Sequence, residues 1–166
     1  MDRSGALARV ALGVTDVLVS RLAWGMWRFQ GDDLARARAL VDAALDAGIN
    51  LFDTADIYGF NGRDGFGDAE VLLGRLFAAD PGLRPKLVLA SKGGVVPGVP
   101  YDSSADYLVA ACEASLRRLG TDRLDLFQVH RPDALTHPAE VARALETLVT
   151  SGKVRAVGVS NYTHPQ

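Results

Sequence analysis

A single cysteine, only three lysines and no apolar run long enough to span a bilayer set the first limits on this sequence of 166 residues. With Cys112 alone, no internal disulfide can form, which fits a reducing compartment. Cys112 falls in a helical pattern, where a small buried hydrophobe is its simplest role. A membrane helix needs roughly 20 consecutive apolar residues, and no stretch approaches that. Met1–Ala8 is charged and carries no apolar run, so no signal peptide is read and a cytoplasmic protein is expected. Basic residues never cluster into a long run and the formal net charge is −2, so neither nucleic acid nor an acidic membrane is expected as a partner. Several catalytic signatures are missing too. There is no GxSxG and no Walker A pattern. His130, His137 and His164 have no metal-ligand spacing with Cys112, so no metal is expected.

What is present has the balance of an ordinary globular protein, 48% hydrophobic and 23% charged. The length suits one domain, residues 1–166, with a sizeable core. Short apolar or β-branched runs alternate with longer amphipathic stretches. Arg9–Leu22 reads as a hairpin turning near Thr15-Asp16, and the barrel-type units occupy 22–166. Strands are predicted at Leu22–Gly25, Asn50–Thr54, Lys86–Ser91, Leu124–Val129 and Val154–Ser160. Helices are predicted at Asp33–Ala47, Asp68–Ala78, Ser104–Leu119 and Pro138–Thr150. Strands alternating with helices imply βαβ units and a parallel sheet, its strands buried on both faces. That leaves a doubly wound open sheet or a TIM barrel. The first βα turn has no GxGxxG fingerprint, which argues against a dinucleotide-binding open sheet. Gly62, Gly65 and Gly67 read as a mobile loop, with phosphate contact as the alternative.

The chemically unusual residues fall at one end of successive strands. Asp53 closes the second strand and Tyr58 follows in its loop. Lys92 closes the third, His130 the fourth, and Ser160 and Asn161 the fifth. In a barrel this is the rim where the βα loops build an active site. The charges at the opposite rim, Lys86, Asp122, Arg123, Lys153 and Arg155, read as solvated.

Tyrosine ordinarily titrates near about 10, too high for an efficient acid at neutral pH. A neighbouring ammonium favours the tyrosinate, and Lys92 is placed to supply one. Asp53 can orient Lys92, and His130 can donate to a carbonyl oxygen. The set is an acid assembly for an oxygen becoming an alkoxide. It supplies no electrons, so a cofactor must. Ser160 and Asn161 offer polar groups for a carboxamide such as that of nicotinamide.

Four segments carry a resemblance. They are Gly48–Gly59 (GINLFDTADIYG), Ala90–Gly94 (ASKGG), Ser115–Asp133 with its His130-Arg131-Pro132-Asp133, and Gly152–Asn161 (GKVRAVGVSN). Together, from about Val10 onward, the chain resembles the aldo-keto reductases, and most closely a bacterial branch with the HRPD motif. The resemblance implies a TIM (β/α)8 barrel whose N-terminal hairpin covers its bottom. It implies NADPH-dependent reduction of an aldehyde or ketone without metal, NADH not being excluded. It places the catalytic tetrad on Asp53, Tyr58, Lys92 and His130, and cofactor contacts on Ser160, Asn161 and Asp53. Glu70 matches an acidic residue opening the second helix and reads as structural. Trp27 and Arg28 follow the first strand and either line the pocket or serve the fold. The loop Phe60–Gly67 is longer than the family pattern.

A TIM barrel has eight strands and about 250 residues. Five βα units are read here, which leaves open edges that invite self-association. Three situations follow: part of a full reductase, a partial barrel completed by a second chain, or a degenerate member. The functional expectation is an oxidoreductase acting on a small carbonyl substrate. The alternative is a non-catalytic interaction or regulatory protein of the same fold.

Overall fold

The computed structural model describes residues 8–166. Of Met1–Ala8, read above as charged and leaderless, all but Ala8 lies outside the described residues. Strands β1 (Arg9–Ala11) and β2 (Leu18–Ser20) form the antiparallel hairpin, with Val10 opposite Val19. Thr15 makes the turn: its hydroxyl donates to Leu12 O at 2.7 Å and accepts from the Val17 amide at 3.2 Å.

The remaining strands are β3 (Ala23–Gly25), β4 (Leu51–Asp53), β5 (Val88–Gly93), β6 (Leu124–Val129) and β7 (Val154–Val159). They form one parallel sheet in the order β3-β4-β5-β6-β7. The helices α1 (Leu34–Asp46), α2 (Asp68–Ala79), α3 (Ala105–Leu119) and α4 (Pro138–Thr150) alternate with them. A doubly wound sheet reverses its strand order at a switch point. Here the order never reverses, so right-handed crossovers put every helix on the same face. This is the winding of a TIM barrel, with four consecutive βα units and a fifth strand among the described residues.

Period-2 alternation divides the sheet into two faces. Phe52, Leu89, Phe127 and Val129 join Val41, Leu73, Leu108, Cys112 and Leu148 from the helices in the larger core. Ala90, Leu126 and Ala156 cluster separately with Leu12 and Leu51, on the face that a barrel turns inward. Helix ends follow local chemistry. Asp33 Oδ1 caps α1 by accepting from the Arg36 amide at 2.9 Å. Gly120 closes α3 at φ +62°, a conformation that favours glycine. His137 precedes Pro138 and caps α4 through Nδ1, which accepts from the Ala139 amide.

Three expectations are corrected. The third parallel strand runs Val88–Gly93 rather than Lys86–Ser91, because Arg84–Lys86 forms a 3-10 turn around Pro85. Lys92 therefore lies inside the strand. Lys153 and Arg155 are not simply solvated, since Lys153 pairs with Glu113 at 2.9 Å and Arg155 with Asp125 and Asp16. Burial on both faces fails for β7, where Val157 and Val159 are exposed because no element among the described residues covers them. Among the described residues, no helix is long and apolar enough to cross a membrane.

Candidate active site

The rim is built by extending the strand ladder into the loops. Asp53 pairs with Ala90 in the β4–β5 register, so Lys92 stands on the same face two residues further along. Beyond β4, the Thr54 amide donates to Ala90 O at 3.0 Å and the Asp56 amide to Lys92 O at 3.1 Å. The His130 amide bonds Gly93 O, and the Ser160 amide bonds Val129 O, both at 2.8 Å. These bonds fix the first loop residues as firmly as the strands.

Lys92 is only 4% exposed. Its ammonium donates to Asp53 Oδ2 at 2.9 Å, Thr54 O at 2.8 Å and Tyr58 Oη at 3.2 Å. A lysine has three N–H donors, and all three are engaged, which is how a buried charge is tolerated. An ammonium can only donate, so the Tyr58 oxygen accepts and its own O–H is free for another partner. Thr54 O was not read from the sequence, because a main-chain acceptor leaves no mark on residue type.

The Tyr58 ring meets His130 edge to face, with centroids 5.8 Å apart. His130 is buried, and its pKa is pushed down to about 4, first by burial and then by the positive charges of Lys92 and Arg131. The imidazole is thus neutral at physiological pH. On the other side Trp27, 73% exposed, stacks on Tyr58 with centroids 6.1 Å apart and planes 18° from parallel. Tyr58 and His130 open into a cavity of about 230 Å³, lined also by Trp27, Gln30, Phe60 and Arg131. A larger cleft of about 550 Å³ lies at the opposite end. Four of its charged side chains pair with one another, Arg84 and Arg155 on Asp125 and Arg155 on Asp16, which gives it a structural place.

Asn161 takes a left-handed backbone, φ +62°, and its amide nitrogen donates to His130 O and to Ser160 Oγ. That ties Ser160 and Asn161 to the β6 rim, although among the described residues no hydrogen bond joins them to Tyr58 or Lys92. Their donor set suits a primary carboxamide: among the described residues the Ser160 hydroxyl hydrogen and Asn161 Oδ1 have no partner, one left to donate and one to accept.

Glu70 is fully buried, accepting from Ser91 Oγ at 2.5 Å and from Arg118 Nε at 2.7 Å. It joins α2 to β5 and α3, a structural place. The loop Phe60–Gly67 is folded on itself, with Asn61 Oδ1 accepting from the Arg63 and Asp64 amides. The sequence reading passed over Asp56, which turns away from the rim. No signal in the sequence marks it, because the strand alternation ends at Asp53.

The chain matches the model of the aldo/keto reductase family over residues 21–166. It belongs to that family. Among similar proteins is a 6-dehydroglucose reductase of Novosphingobium aromaticivorans, 60% identical over 93% of this chain and 52% of the relative. A 6-dehydroglucose reductase of Agrobacterium fabrum is 43% identical over 94% of this chain and 54% of its own length. Among solved structures, an aldo-keto reductase of Bacillus halodurans in its holo form superposes with a TM-score of 0.78 at 33% identity, over 93% of this chain and 50% of that one. The fold expected from the resemblance is the one found. This aldo/keto reductase chain spans about half the length of the curated relatives it matches.

Proposed function

We propose that residues 1–166 form a partial-barrel domain carrying the proton-handling half of an NAD(P)H-dependent carbonyl reductase. In this reading Tyr58 protonates the oxygen of an aldehyde or ketone as it becomes an alkoxide. The observation that carries it is the buried Lys92 ammonium with one of its three donors on Tyr58 Oη. Because the ammonium occupies the phenolic oxygen as a donor, the phenol's own hydrogen is available to a carbonyl oxygen in the cavity. Asp53 holds Lys92 charged and in place. Neutral His130 offers an N–H to the same carbonyl oxygen and orients it. The nicotinamide, when bound, supplies the hydride. Ser160 and Asn161 would hold its carboxamide through the free donor and acceptor described above. Asp53 Oδ1, not engaged by Lys92, can accept from a cofactor hydroxyl. NADPH is the cofactor the family resemblance favours, and NADH carries the same nicotinamide.

The relatives named 6-dehydroglucose reductase support a sugar aldehyde as substrate class. The cavity agrees in kind, with the exposed Trp27 face beside the polar Gln30 and Arg131.

The test begins with a fluorescence titration by NADPH, followed by turnover of sugar aldehydes. Tyr58→Phe is expected to cut turnover by at least about a hundredfold, the usual worth of a positioned general acid, with unfolding unchanged. Undiminished turnover in that variant overturns the assignment of the acid.

A further inference from the structure

We propose that Asp56 is a positioning residue: its carboxyl, buried behind the site without a hydrogen-bond partner among the described residues, lets the Thr54–Tyr58 turn stay clamped on Lys92 only while it is uncharged, and its ionisation releases that turn. Its catalytic meaning rests on the reading of Tyr58 as the acid.

The turn grips Lys92 from two sides. Thr54 O and Tyr58 Oη take the ammonium, and the Asp56 amide donates to Lys92 O at 3.1 Å. The Asp56 side chain points into the layer between the sheet and α3. A Cβ built on Gly93 would stand 3.0 Å from Phe127 Cζ, 3.1 Å from Ala111 Cβ and 3.5 Å from Asp56 Oδ2. Asp56 is 0% exposed, and neither carboxyl oxygen has a hydrogen-bond partner among the described residues. The Ile57 amide leans toward the carboxyl without reaching hydrogen-bond geometry.

The charges around it decide its state. Glu70 faces it from α2, Arg118 and Tyr107 from α3, and Lys92 from β5. Glu70 already takes Arg118 and Ser91, and Lys92 gives its three donors elsewhere. A charge on Asp56 would be unpaired, desolvated and beside a second carboxylate. Its pKa is accordingly pushed up to about 8, by burial first and Glu70 second, against the weaker opposing pull of Arg118 and Lys92.

The sign follows from proton binding. In the open turn Asp56 is hydrated and titrates near about 4; in the closed turn it keeps its proton to about 8. Between those limits the closed form binds more protons. Opening therefore becomes up to about tenfold easier per pH unit, and levels off above about pH 8. Asparagine has the shape of the protonated acid and no charge to gain.

Amide hydrogen exchange by NMR on the whole chain tests this, with each rate referred to the intrinsic rate at its pH. In the wild type, protection of the residue 56 amide is expected to fall by tenfold or more between about pH 5.5 and 7.5. In Asp56→Asn it is expected to stay flat, while Phe127 in β6 holds steady in both proteins. No fall in the wild type, or the same fall in both, overturns the proposal. If Asp56→Asn does not fold, the Asp56 carboxyl carbon of the wild type is titrated instead. A midpoint well above the ordinary carboxylate range supports the proposal, and a midpoint near about 4 overturns it. Neither cofactor binding nor turnover enters these readouts, so a failure of the reductase reading leaves them unaffected.

Discussion

Each N–H of the Lys92 ammonium has an acceptor within the protein, so the lysine needs no substrate to hold it in place. That preorganisation surrounds His130, whose proton balance gives a second test. Its folded pKa, about 4, lies below the ordinary value of 6.5. As pH falls from 6.5 toward 4 the unfolded chain takes up a proton that the folded chain refuses, so stability is lost through that window. Asp56 contributes with the opposite sign in both proteins, so we expect the denaturant midpoint of His130→Gln to rise relative to that of the wild type from pH 7 to pH 4.5. An NMR titration of the imidazole reads the same property directly. The residue types and their rim were legible in the sequence, because strands can be counted and Asp53, Lys92 and His130 fall at or near their C-terminal ends, with Tyr58 in the loop after Asp53. Asp56 was not legible. Three residues past Asp53 the period-2 pattern has ended, and only the turn itself decides whether a side chain faces the rim or the helices.

The helices were legible to within a residue or two because their ends carry strong signals: Asp33 at the start of α1, Gly120 after α3, Pro138 at the start of α4. The start of β5 was not, since Lys86 reads as the first residue of the apolar run yet closes a 3-10 turn with Arg84 and Pro85. Contacts between elements are also invisible to periodicity, and Gly74 in α2 is the sharpest case. A Cβ there would collide with the Arg118 carbonyl and stand 3.1 Å from Leu119 backbone atoms, at the end of α3. Alanine would gain about 1 kcal/mol of helix propensity. Overpacking against main chain costs about 1–3 kcal/mol or more, and backbone cannot swing aside as a side chain can. Gly74→Ala is therefore expected to lower stability in denaturant melts. A stabilised variant would show that α2 and α3 separate at little cost. The α2–α3 seam also carries the Glu70–Arg118 pair, so a shift there would loosen the contact to Ser91 beside Lys92.

Across the molecule, the sheet has β3 and β7 as its edges, and β7 exposes Val157 and Val159. Uncovered edges with apolar side chains pair with other chains. Sedimentation velocity is expected to show association that grows with concentration, and Val159→Lys is expected to reduce it. A wild type that sediments as a monomer at all concentrations would show that the edges are protected in solution. The single direction of winding also bears on time. In the parallel sheet strand order equals chain order, so when each strand after β3 leaves the ribosome one neighbour it pairs with has already emerged. Asp53, Tyr58, Lys92 and His130 come from β4 through the end of β6, ahead of Ser160 and Asn161. Synthesis thus delivers the proposed proton donor and its supports first, and the residues proposed to hold a carboxamide only afterwards.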